Sequence, residues 1–296
     1  MLGLATACRP ALPAEGDALR VVATTNILAD VVAVVGGDSI ELSVLLPVGA
    51  DPHSFEPSPR EVAAVSQADL VFANGVGLEI FLQPLLESAG GEAELVTVSD
   101  GVETIAFEEI HPEGEAGEEH GEEDPHVWMD PNNILVWVDN IVNALARRDP
   151  ANATSYEANA EAYKAELCAL DEWIAAEVAE LPEAQRELVT DHDALGYFAR
   201  RYGFELVGAV VPGYSTLAQP SAQELAALED AIAAYGVPAI FVGADVNPAL
   251  AERVAEDTGV QLVILYLASL TEADGPAPTY LDMMRYSVSA IVEALK

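Results

Sequence analysis

The sequence predicts an α/β fold with parallel sheets, and two features of the 296-residue chain carry that expectation. Short apolar runs alternate with helix-like segments along most of its length, and strands separated by helices pair in parallel rather than as hairpins. A single long amphipathic helix divides this alternation into an earlier and a later half, and the later half repeats the logic of the earlier one.

Leu19 to Thr24 is an apolar run suited to a buried parallel strand. Ile27 to Val35 reads as a helix stopped by Gly36-Gly37, and Ile40 to Leu46 as the next strand. Ser58-Pro59-Arg60-Glu61 is a helix start, with Ser58 as N-cap, proline in the first turn and Glu61 closing a capping box. Leu70 to Asn74 is a further strand. Residues 108–124 are Glu/Gly-rich and lack any apolar period, so they form a loop that cannot bury a core. Asp130-Pro131 opens a helix through about Arg148. From Asn152 to Leu181, residues Tyr156, Ala160, Tyr163, Leu167, Leu170, Ile174, Val178 and Leu181 recur by threes and fours, which puts them on one face of a helix ended by Pro182. Glu187 to Thr190, Phe204 to Val211, Ala239 to Val242 and Leu262 to Leu267 are the later strands. Between and after them, a helix runs through Arg201, Ser221 to Glu224 is a second capping box opening a helix to Tyr235, and Tyr280 to Leu295 is the closing helix.

Charge narrows the function classes. With 50 acidic against 12 basic residues, the formal net charge is −38, a surface unsuited to nucleic-acid phosphates or anionic membranes. Such a surface concentrates cations, and it equally fits adaptation to a salty habitat; Lys164 and Lys296 are the only lysines. Of the two cysteines, Cys168 is expected as a small core residue of the long helix, and no disulfide is expected. Met1 to Cys8 resembles the tail of a secretion signal ending in a lipoprotein cleavage site, with Cys8 as the residue to be lipidated and residues 1–18 as a tether.

Three of the five histidines each sit where a predicted strand hands over to a polar loop: His53 in Gly49-Ala50-Asp51-Pro52-His53-Ser54-Phe55-Glu56-Pro57, His126 in Asp124-Pro125-His126-Val127-Trp128-Met129-Asp130-Pro131, and His192 in Thr190-Asp191-His192-Asp193. The other two, His111 and His120, share the acidic loop as candidates for auxiliary metal capture. Imidazole is the commonest protein ligand for zinc and its neighbours, and strand-end loops of parallel sheets are where α/β folds place ligands.

These contexts resemble the metal-binding group of bacterial extracytoplasmic solute-binding proteins, which feed zinc or manganese to ABC importers. The likeness runs from Val21-Val22-Ala23-Thr24-Thr25-Asn26 to Tyr280-Leu281-Asp282-Met283-Met284-Arg285. It implies two lobes, each a parallel sheet flanked by helices, joined by a single long helix, with the metal between them. The expected organisation is an N-terminal lobe over 19–150, the linking helix over 151–182 and a C-terminal lobe over 183–296. His53, His126 and His192 stand at three of the family's ligand positions. At the fourth, relatives carry an aspartate where this chain has Ala268, and Gly243 stands where relatives often carry glutamate. Asp245, Glu56 and Asp274 are the nearby acidic candidates.

Three imidazoles without a carboxylate suit zinc better than manganese. The resemblance therefore implies a zinc-binding protein outside the cytoplasm, periplasmic or lipid-anchored, delivering metal to an ABC permease. A metallochaperone is a candidate donor, nucleic acid is not a partner, and a monomer is expected. The same three histidines and an open position would also suit a zinc hydrolase or hydratase with Glu56 or Asp193 as base, but no His-Glu-x-x-His helix is present. A manganese-binding member of the same family is the other alternative.

Overall fold

The computed structural model describes residues 18–106 and 123–296. Cys8, His111 and His120 lie outside them, as do most of the expected tether and acidic loop. Two four-stranded, wholly parallel sheets carry the fold. The first is built from β1 (Leu19–Ala23), β2 (Ile40–Val44), β3 (Leu70–Ala73) and β4 (Glu94–Thr97) in the order β2-β1-β3-β4. The second uses β5 (Glu187–Thr190), β6 (Glu205–Ala209), β7 (Ala239–Gly243) and β8 (Gln261–Leu265) in the order β6-β5-β7-β8. In both, the chain leaves the first strand to one side and returns to its other side. The resulting topological switch points, between β1 and β3 and between β5 and β7, are where open α/β sheets form ligand crevices.

Helices α1 (Asn26–Gly36), α2 (Pro59–Gln67), α3 (Leu82–Ala89) and α4 (Pro131–Arg148) belong to the first half, and α6 (Gly196–Tyr202), α7 (Ala222–Tyr235), α8 (Ala249–Thr258) and α9 (Tyr280–Leu295) to the second. Their starts follow from local chemistry. The Ser58 and Ser221 capping boxes are both formed, and Asp130 accepts a hydrogen bond from Asn132 N at 2.9 Å with Pro131 next in the chain. Helix α5 (Ala153–Val178) joins the two sheets and, at 26 residues, is about 39 Å long.

Every residue of the predicted stripe, from Tyr156 to Leu181, is buried. Through it α5 packs on α4, α1 and α9. One apolar cluster therefore runs from β1 and β3 through α1, α4 and α5 to β7, α6 and α9. Cys168 departs from expectation: it is exposed, because it follows buried Leu167 and is turned about 100° off the stripe. The strand β4 and helices α3 and α8 are additions to the predicted elements. Among the described residues, no helix is long and apolar enough to cross a membrane.

Candidate metal centre

Each of the three histidines is delivered by a short segment that an aspartate ties down. His53 and His192 follow strands as expected, whereas His126 follows no strand among the described residues and stands instead just before the turn Val127–Met129 that leads into α4. In the loop after β2, Asp51 Oδ1 accepts from His53 N at 2.9 Å and Oδ2 from Ser54 Oγ at 3.0 Å, the side-chain-to-backbone turn that aspartate favours. Gly49, at φ 79°, supplies the left-handed residue just before it. Ahead of α4, Asp124 Oδ1 accepts from both His126 N (2.9 Å) and His126 Nδ1 (2.8 Å). Directly after β5, Asp191 Oδ1 does the same for His192, at 2.6 Å to N and 2.8 Å to Nδ1, while its Oδ2 accepts from Gly243 N at 2.7 Å.

The segment carrying His126 is fixed from the first sheet as well. Asn74 Nδ2, at the end of β3, donates to Pro125 O at 3.0 Å. Asn74 is held in turn by Glu79, whose carboxylate accepts from Thr24 Oγ1 (2.7 Å), Asn74 N (2.7 Å) and Gly75 N (3.0 Å). Closing the chain around that carboxylate places Val76 at φ 52°, the one described non-glycine residue with positive φ, a costly backbone state for a β-branched side chain.

The three imidazoles meet by their Nε2 atoms. His126 Nε2 is 3.2 Å from His53 Nε2 and 3.2 Å from His192 Nε2. They are 8%, 1% and 2% exposed for His53, His126 and His192, so water is nearly excluded. With the Nδ1–H groups of His126 and His192 donating to aspartates, their Nε2 atoms present lone pairs to one another. Where both rings are neutral, bare lone pairs at 3.2 Å repel, and a proton or a metal cation between them removes that cost. A tetrahedral zinc with Zn–N bonds of about 2.0–2.1 Å separates its ligand nitrogens by about 3.3–3.4 Å, close to the edges seen here. The aspartates behind the rings fix both tautomer and orientation, the usual support of metal-bound histidine.

Electrostatics favour neutral rings at two of the three positions. Burial, then His126 and His192, pushes the His53 pKa down to about 3; burial and His192 hold His126 well below its usual value. His192 is the exception. Burial lowers it, but the hydrogen bond and charge of Asp191, with Asp245 and Asp51 further off, outweigh burial and leave its pKa raised. Burial also raises the Asp124 carboxyl to about 7.

Among the described residues these three histidines form the one group of side chains placed to share an ion. Ala268 is 5% exposed and is framed by bonds to the first half of the chain: Leu267 O accepts from Trp128 Nε1 (2.7 Å), Ser269 Oγ from Asn26 Nδ2 (3.0 Å) and Gly49 N (2.8 Å), and Asn26 Oδ1 from Leu270 N (2.9 Å). Glu56 and Asp274 are exposed and stand outside the histidine group. Asp245 lies one layer behind it. A Cβ on Gly243 would meet Asp245 Oδ1 at 3.1 Å and Asp191 Oδ2 at 3.3 Å, so a larger side chain there would have to displace two carboxylates. Asp124 and Asp191, which hold the rings of His126 and His192, and Asp51, which holds the backbone of His53, were not singled out from sequence as positioning groups. Their signal was present: each stands one or two residues before its histidine.

Comparison with known proteins agrees with this architecture. Residues 21–294 match the family described as zinc-uptake complex component A, periplasmic. The manganese-binding lipoprotein MntA of Halalkalibacterium halodurans is 34% identical over 282 residues, covering 95% of this chain and 90% of that protein. The manganese ABC transporter substrate-binding lipoprotein PsaA of Streptococcus pneumoniae is 32% identical over 288 residues, again covering 95% and 90%. Among solved structures, the periplasmic zinc-binding protein TroA from Treponema pallidum superimposes with a TM-score of 0.84 at 28% identity, covering 94% of this chain and 99% of that one. The manganese-bound periplasmic metal-binding protein from Candidatus Liberibacter asiaticus gives 0.81 at 27% identity, covering 93% and 99%. The chain belongs to the zinc-uptake component A family, the substrate-binding proteins of metal ABC importers, which capture cargo and are not enzymes.

Proposed function

We propose that this protein captures zinc, in preference to manganese, at His53, His126 and His192 outside the cytoplasm and presents it to the permease of an ABC importer. The observation that carries this is the convergence of three buried Nε2 atoms with edges of 3.2 Å, two of the rings backed by aspartate. An all-imidazole donor set suits borderline ions such as zinc, whereas manganese prefers oxygen donors. Ala268, where relatives carry an aspartate, takes away the one oxygen ligand that would favour the harder ion. Several relatives are named for manganese and TroA for zinc, so both ions belong in the test. Relatives named lipoproteins support an anchored, extracytoplasmic location for this chain too.

Elemental analysis of purified protein, followed by chelator-competition titrations with zinc and manganese, tests the proposal. One zinc per chain, bound at least a hundredfold more tightly than manganese, is the expected result. Tighter manganese binding would overturn the choice of metal. Unchanged zinc binding in His192→Ala would overturn the site.

A further inference from the structure

The segment after β6 crosses from the second half of the chain to the first directly over the histidines. It begins on the strand that delivers His192: Val210 N donates to Thr190 O and Val211 N to Asp191 O, both at 2.8 Å. It is then clipped to the residue after His192. Asp193 N donates to Gly213 O at 3.0 Å, Gly213 N to Asp193 Oδ2 at 2.8 Å, and Gly213 makes the turn at φ 104°. Next, the Tyr214 ring lies 6.5 Å from the His126 ring, centroid to centroid. Two residues on, Thr216 Oγ1 donates to Asp51 Oδ2 at 2.6 Å. Asp51 is the carboxylate whose other oxygen holds the His53 turn. Leu217, immediately beyond, is exposed, so the segment comes back out to solvent there.

The geometry points to residues 210–217 as a roof over the metal site, and to the Thr216 hydroxyl as the latch that holds it shut. Thr216 is a positioning residue that sets how fast metal leaves. This rests on the metal being held by the three histidines. The latch bond is a hydroxyl-to-carboxylate contact, the short, charge-assisted kind that is stronger than a neutral hydrogen bond. It is also a direct side-chain bond between the loop bearing His53 and the segment clipped beside His192, so breaking it loosens the far end of the roof without removing any ligand. Half-exposed Asp51 keeps the bond from Ser54 Oγ to its Oδ2 when Thr216 lets go, so the carboxylate stays partnered.

Thr216→Val removes the hydroxyl at constant shape, and Thr216→Ser keeps it. The probe is zinc alone: zinc-loaded protein is mixed with excess chromogenic chelator, and dissociation and association rates are read separately beside the melting temperature. We expect one zinc per chain in all three proteins, dissociation at least tenfold faster in Thr216→Val with association equal or faster, and Thr216→Ser within twofold of the starting protein. A latch acting merely as a structural support would lower the melting temperature and leave the dissociation rate alone. Equal dissociation from all three, or fast dissociation from both variants, overturns the latch and leaves the metal site standing. Starting protein that takes up no zinc overturns the metal site and the latch together.

Discussion

Asp191 and Asp124 occupy corresponding places behind His192 and His126, yet replacing each by asparagine should have unequal consequences. Asp191 accepts hydrogen bonds at both oxygens: Oδ1 from His192 N and Nδ1, and Oδ2 from Gly243 N. An amide accepts at one end and donates at the other. In Asp191→Asn, an amide with its oxygen toward His192 would turn its NH₂ to the Gly243 N–H, donor against donor. Flipped, the NH₂ would face Nδ1 and drive the ring proton to Nε2, where it blocks the metal. Asp124 is different. Its Oδ1 takes both bonds from His126, while Oδ2 is buried with no partner and packs toward Gly196. An NH₂ placed there meets no competing donor.

Removing a support behind a metal-bound histidine costs about 10–100-fold in affinity, or about 1.4–2.8 kcal/mol. Asp191→Asn should fall in that range, and Asp124→Asn should stay within about threefold of the starting protein. Both variants lose one formal carboxylate, so their difference isolates the hydrogen-bond geometry from the charge. Chelator-competition titration with zinc at pH 7.5 reads the effect, and a folded-state check by near-ultraviolet circular dichroism separates it from unfolding. Equal affinities for the two variants would refute the assignment of these tautomers.

Three further outcomes follow from the same geometry. His53→Ala, His126→Ala and His192→Ala should each weaken zinc at least tenfold in the same titration, because a three-ligand site has no spare donor. Ala268→Asp should tighten zinc by about tenfold and admit manganese if its carboxylate reaches the ion; buried without metal, that carboxylate should lower the melting temperature of the metal-free protein. Zinc affinity should fall with acid through one proton at His192, whose pKa is raised, with a second from Asp124, whose carboxyl at about 7 ionises against the metal. His53, already down to about 3, and His126, held well below its usual value by burial and His192, contribute less to the acid loss than His192 does. The slope of log affinity against pH between 5 and 7 should thus lie between one and two, and a slope of three would show that all rings titrate together.

Much of the scaffold was legible because its signals are local. Ser58 with Glu61, Ser221 with Glu224, and Asp130 before Pro131 each announce a helix within four residues, and the α5 stripe spells out one buried face. The edge strand β4 escaped notice because Leu95 and Val96 are its only strongly apolar residues and much of it is exposed. Helix α3 carries Pro84 in its first turn, and α8 is only ten residues long with a buried face made mostly of alanine (Ala251, Val254, Ala255), a weak apolar signal in sequence. Cys168 misled because a single residue of register separates a buried neighbour from an exposed face. At the site, the histidines could be found one by one from their contexts. Their mutual approach, and Thr216 reaching Asp51 across 165 positions of sequence, are products of tertiary packing that no local pattern encodes.

The continuous apolar cluster has a thermodynamic consequence. Two separate sheets ordinarily suggest two units that melt at different temperatures, but here α5 and α9 tie both into one core, with Trp128 and Tyr280 closing the seam where Tyr280 OH donates to Trp128 O at 2.8 Å. Loss of either half strips apolar cover from the other, so the chain should denature in a single cooperative step. Ligand captured between the halves is then linked to the whole molecule rather than to one lobe: metal at 1,000 times its Kd adds about 4 kcal/mol to the stability of every helix and strand at once. A cargo ion in this architecture is also the keystone of its carrier, and surrendering it returns the entire fold to its lower, metal-free stability.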